Sequence, residues 1–133
     1  MNNLEIIELI NELKISNFLG VYMKDEIKNI HMPRNSDFYF IYNLQTSKEN
    51  GSHWLVDGRS KNQNIHMCPF GSDPCNEFIE FIGTPIISST FRIQEFTEKS
   101  CGLYCILLLY LLDKGNSFED SVLELFRAKI RSA

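Results

Sequence analysis

The ten residues from Leu103 to Leu112 carry no charge, and they constrain the fold more than any other stretch of the chain. A membrane span needs roughly 20 such residues, so this run reads as a buried helix, with the rest of the chain arranged around it. Its entrance is Glu98-Lys99-Ser100-Cys101-Gly102. A helix N-terminus presents about half a unit of positive charge, which favours an anion beside it. Cys101 at that place is therefore a candidate nucleophile, and Gly102 lets another backbone come close. Upstream stand Ser52-His53-Trp54 and, between the two, Gln94, a side-chain N–H donor. A thiol, an imidazole and an amide donor are what a thiol-based acyl-transfer site requires.

The rest of the chain supplies a frame for that helix. Leu4, Ile6, Ile7, Leu9, Ile10, Leu13 and Ile15 recur at helical spacing, with Asn2 or Asn3 as cap, and Asn17 to Gly20 turns the chain out of that helix. Phe38 to Leu44 reads as a buried strand, and His53 to Asp57 as the next. Alternation places His53, Leu55 and Asp57 on one side, Trp54 and Val56 on the other. Lys61-Asn62-Gln63-Asn64 reads as a hairpin turn, after which Ile65 to Cys68 pairs back. Pro74 to Ile82 reads as a short helix, Thr84 to Arg92 as a β-branched return to the sheet, and Cys101 to Asp113 as the central helix. Ser117 is the expected cap of a last helix with an apolar face of Phe118, Val122, Leu125 and Phe126. The expected class is α+β: a small, mostly antiparallel sheet packed on the helix that carries the nucleophile. At 133 residues this is one domain, residues 1–133, large enough to bury a core without staples.

Composition excludes several functions. The net charge is −4, and only Arg127, Lys129 and Arg131 form a local basic excess, so the stripe that phosphate backbones require is missing and DNA binding is doubtful. Cys68, Cys75, Cys101 and Cys105 contain no Cys-x2-Cys pair, which argues against zinc, and no cofactor is expected. No signal-peptide pattern precedes the first helix, so the thiols are expected in a reducing compartment, with no membrane partner.

Four segments together resemble the adenovirus maturation protease (adenain) family, including its relatives in polinton-like elements, virophages and other large-DNA-virus systems. They are Phe18-Leu19-Gly20-Val21-Tyr22-Met23-Lys24, Gly51-Ser52-His53-Trp54, Cys68-Pro69-Phe70-Gly71, and Gln94 seven positions before Cys101-Gly102-Leu103-Tyr104-Cys105. The resemblance runs from about Asn17 to Leu112. It implies an adenain-like fold, Cys101 as nucleophile, His53 as general base and Gln94 as oxyanion donor. Trp54, a large ring beside that histidine, is expected to wall the substrate groove, to fill the core, or both.

The resemblance also implies a viral cysteine endopeptidase that trims capsid and other virion precursors at Gly-containing sites during particle maturation. Activation by a viral peptide, and residence in the virion and the infected cell (cytoplasm, viral factory or nucleus), come with that reading. The alternatives are a ubiquitin- or SUMO-like-protein protease and a non-catalytic binding module. The chain departs from the family at the third catalytic position, where an acid is expected and Cys68 stands. A neutral thiol is a weak acceptor for an imidazole N–H. Asp57 shares the strand face of His53 but lies roughly 13 Å along it, too far for a hydrogen bond. Asp73, beyond the Pro69-Phe70-Gly71 turn, and His66, on the side of Cys68, are the remaining polar candidates near the site. Cys105, one turn beyond Cys101, is expected in the core.

Overall fold

The computed structural model describes residues 1–44, 53–89, 92 and 101–132. Helix α1 (Asn3–Glu12) begins with a reciprocal cap: the Glu5 backbone N–H donates to the Asn2 side chain and the Asn2 N–H to the Glu5 carboxylate. Strand β1 (Phe18–Met23) and a 3-10 turn (Lys24–Asn29) lead to β2 (Phe38–Asn43), β3 (Trp54–Ser60) and β4 (Gln63–Met67). Helix α2 (Asn76–Ile82), the short β5 (Ile87–Ser88), α3 (Cys101–Asp113) and α4 (Phe118–Ser132) follow. Strands stand in chain order, β1-β2-β3-β4-β5.

The class is α+β, as expected, and the sheet is mixed rather than purely antiparallel. β2, β3 and β4 form an antiparallel meander, while the outer strands β1 and β5 pair parallel to their neighbours. Both parallel pairs are joined by a connection that holds a helical turn, the 3-10 segment in one case and α2 in the other. Such a connection carries the chain back to the end where it started, and a tight hairpin cannot. β1 itself was not anticipated. Every position in it is half-buried, and its pairing with β2 is irregular between Phe18 and Val21, so it lacks the alternation that marks a strand.

The sheet separates two cores. Tyr39, Ile41, Trp54, Val56, Ile65 and Met67 face α3, with α1 and α4 packed beside it. Phe38, Phe40, Tyr42, Leu55 and Cys68 face the other way, against Ile27 of the 3-10 turn and Phe78 of α2. β2 is buried at every position because it serves both. Each fully buried large apolar side chain contributes about 1.5–3 kcal/mol, so the central strands hold the sheet. Gly58 is needed where β3 passes β2, since a Cβ there would lie 2.1 Å from the Phe38 carbonyl oxygen.

In α3, the residues Cys101, Gly102, Cys105, Ile106, Leu108, Leu109 and Leu112 are buried. In α4, Phe118, Val122 and Leu125 are buried, and the Ser117 hydroxyl accepts from the Asp120 N–H at 3.1 Å, as a cap should.

Candidate active site

Cys101 is the first residue of α3, and only 4% of its surface is exposed. Its helix neighbours locate it against the start of β3. A Cβ on Gly102 would stand 3.5 Å from Trp54 Cδ1, and the Cys105 thiol donates to the Trp54 carbonyl oxygen at 3.3 Å. The first turn of α3 is thus seated on Trp54, the residue after His53. The neighbours of Gly102 are side chains rather than the approaching backbone its position suggested. Burial, together with neighbouring thiols and Asp57, pushes the Cys105 thiol well above its ordinary range, so it stays protonated and belongs to the core.

His53 sits one residue ahead of β3, half-buried, with its carbonyl oxygen accepting from the Leu44 N–H at 3.4 Å. Its ring meets Phe70 edge to face, with centroids 4.8 Å apart and planes at 85°. Nδ1 is buried and has no hydrogen-bond partner among the described residues. This is the nitrogen that an orienting acid would engage. Continuing the β3–β4 register from Val56–Met67 sets His53 opposite Phe70 and Leu55 opposite Cys68, so Cys68 is the diagonal neighbour of His53 on the same face. Cys68 is 1% exposed, and its carbonyl oxygen accepts from the Gly71 N–H at 2.8 Å, closing the turn that carries Phe70. Gln94 lies outside the described residues.

Trp54 is mostly buried, and its indole N–H donates to the Met1 carbonyl oxygen at 3.0 Å. Met1 also reaches Gly102, whose Cβ would stand 3.1 Å from Met1 Sδ. On the other side of these residues opens a cavity of about 540 Å³, lined by Met1, Asn2, Asn3, Val21, Tyr22 and Trp54 among others. Trp54 therefore both fills the α3 core and walls a cleft.

Asp57 and His66, which no sequence motif links, form a pair. Both are fully buried, and Asp57 Oδ1 lies 2.5 Å from His66 Nδ1. The opposite ring nitrogen, Nε2, donates to the Ser72 carbonyl oxygen at 2.9 Å, since a carbonyl can only accept. Burial raises the Asp57 carboxyl above the usual range against the opposing pull of His66. For His66, burial acts downward, but the charge and hydrogen bond of Asp57 outweigh it, so its value is raised too. Burial and the nearby Asp57 charge likewise push the Tyr42 hydroxyl far above its ordinary range. A two-residue loop at Lys61-Asn62, both with positive φ, sets Asp57 opposite His66. That turn type was the signal that could have revealed the pair.

No metal-binding group of three His, Cys, Asp or Glu side chains occurs among the described residues, and no helix there is long and apolar enough to cross a membrane. On α4, Arg127 pairs with Glu124 at 2.9 Å and Arg131 approaches the same carboxylate at 3.6 Å.

Comparison with solved structures finds the same architecture in the crystal structure of the ASFV pS273R protease, with a TM-score of 0.67 and 13% sequence identity. The chain has the fold of that protease. The match covers 96% of this chain and 65% of the other, so this chain spans less than two thirds of that protein's length. No family model and no curated relative matches the sequence.

Proposed function

We propose that the chain is a viral cysteine endopeptidase with Cys101 as nucleophile and His53 as general base. The observation that carries this reading is the seating of the Cys101-Gly102 turn on Trp54, next to His53, within a protease fold. His53 takes the proton of the Cys101 thiol, the sulfur attacks the scissile carbonyl carbon, and the developing oxyanion is held by the Cys101 backbone N–H and the Gln94 amide. His53 passes its proton to the leaving amine as the C–N bond breaks, leaving a thioester. A water molecule, deprotonated by His53, then attacks the thioester, and the carboxylic acid and free thiol are released. The Nδ1 of His53, without a hydrogen-bond partner among the described residues, and the thiol at Cys68 support a Cys–His dyad without an acid.

The substrates that fit this reading are capsid and other virion precursors cut beside glycine. Cys101 is only 4% exposed, so residues with little side chain reach its sulfur most readily. A peptide activator is compatible with the cleft beside Trp54, and residence in the virion and infected cell follows from the substrates. Incubating the protein with the capsid proteins of the same genome, followed by mass spectrometry of the new termini, tests the assignment. New termini after glycine that vanish in Cys101→Ala are expected. Faster cleavage of a ubiquitin-like Gly-Gly reporter would instead assign it to the ubiquitin-like-protein proteases.

The neutral third position favours one second reading, a non-catalytic module that keeps the fold. Iodoacetamide separates the two: labelling of Cys101 no faster than a free thiol would support the module.

A further inference from the structure

An imidazole that acts as base must be held at one angle, and the usual device is a carboxylate on the far nitrogen. In this chain that nitrogen, Nδ1 of His53, is buried with no hydrogen-bond partner among the described residues. What the ring does touch is Phe70, at 4.8 Å and 85°. Phe70 is not loosely placed. It lies in the turn closed by the Gly71 N–H and the Cys68 carbonyl at 2.8 Å, where Gly71 takes φ +77°. One residue further on, the Ser72 carbonyl is fastened by His66 Nε2 at 2.9 Å. His66 is in turn fixed by Asp57 at 2.5 Å, and both are fully buried. The other charged group near His66 is Asp73, whose carboxylate acts in the same direction as Asp57. A continuous line of contacts therefore runs from β3 through β4 and the 68–72 turn to the ring of His53.

We propose that Phe70 is the positioning residue for His53, taking over by ring contact the orienting role of the acid that position 68 lacks, and that the Asp57–His66–Ser72 chain is the clamp that holds Phe70 there. This rests on the peptidase reading of Cys101 and His53. A buried ion pair is weak evidence for stability on its own, because hydrophobic groups of the same volume do as well or better. Its placement is what counts here: the second ring nitrogen of His66 donates to the backbone of the turn that touches the base. A ring contact restricts the imidazole plane as a carboxylate would, but it accepts no proton and adds no charge.

The test is the pH dependence of Cys101 alkylation by iodoacetamide, with the labelled residue identified by mass spectrometry, alongside kcat and KM on a glycine-containing peptide. Wild type should show alkylation below pH 7 that disappears in His53→Ala. Phe70→Leu fills the site without a ring; it should lower that alkylation and kcat by about 10–10²-fold with KM unchanged, the cost expected of a base slightly misplaced. Phe70→Tyr, which restores the ring, should recover both. The clamp is read by Asp57→Asn/His66→Gln, which keeps uncharged hydrogen-bonding groups; a folded variant should show the same loss in milder form. Wild-type profiles for Phe70→Leu would overturn the positioning role, and a wild-type profile for the double variant would overturn the clamp. If wild type itself has no His53-dependent alkylation, the peptidase reading falls, and the positioning role with it.

Discussion

His53, one residue ahead of β3, and His66, on the adjacent β4, fall on the same side in register, yet their surroundings are opposite. His66 has both ring nitrogens satisfied, a carboxylate at 2.5 Å, and no exposure to solvent. His53 is half-buried, touches an aromatic ring, and leaves Nδ1 without a partner among the described residues. A search for a histidine paired with an acid would choose His66. A search for one that keeps some exposure chooses His53, the residue before Trp54, on which the first turn of α3 is seated. Pairing with a carboxylate raises and orients an imidazole, but access decides whether it can act as a base.

The sharpest way to break this comparison is to remove each histidine in turn. His53→Ala should lower peptide cleavage by about 10²–10⁴-fold, the usual worth of general acid–base catalysis, with the urea midpoint unchanged. Cleavage at wild-type rate would return His66 to candidacy. His66→Ala should instead show itself in stability. It leaves Asp57 buried without its cation, at a cost of about 3–5 kcal/mol in urea unfolding. A loss below about 1 kcal/mol, within the range of an exposed pair, would mean that Asp57 finds another partner.

A third measurement sharpens the contrast through pH. Both Asp57 and His66 have raised folded values, so the folded state holds protons that the unfolded chain releases earlier. Their contribution to stability is full below the unfolded values and is lost as pH rises through the folded ones. Stability of wild type should therefore fall as pH rises from the carboxylate range to beyond about 6.5, the ordinary imidazole value. Asp57→Asn/His66→Gln should flatten that fall, and His53→Ala should leave it as it is; the urea midpoint between pH 4 and 8.5 checks both. The smallest effect is expected from Cys68→Asp, which would give His53 a carboxylate of its own. Turnover should rise modestly, or activity extend to higher pH, because a carboxylate favours imidazolium. Burial of the new charge opposes the gain. An identical pH–rate profile in a folded variant would show that position 68 does not serve His53.

The elements that frame the site were legible because their signals are local. The uncharged run after Cys101 gave α3 its bounds, and alternation around Trp54 separated the two cores. β1 was lost because an edge strand that is half-buried throughout has no periodicity. The outer strands could not be oriented from sequence, because direction depends on where a connection ends. Reading the hairpin as a four-residue loop, Lys61 to Asn64, shifts β4 by two residues and takes His66 away from Asp57. The positive φ at Lys61 and Asn62 makes the loop two residues long and joins them. Cys68 was recognised as a departure, but the Phe70 contact needs coordinates.

The burial of α3 also sets a timescale. Amide protons exchange with solvent only when their hydrogen bonds open, and those of a helix enclosed by a sheet and two other helices open last. Backbone amides from Cys105 to Leu112 should exchange at the rate of global unfolding, while those near the Lys61-Asn62 tip exchange through small local openings. Cys101 stands one turn ahead of that protected segment, at the end of the helix where the first backbone N–H groups have no partner within it. The sulfur is thus carried by the most protected helix of the fold, but at its least protected end.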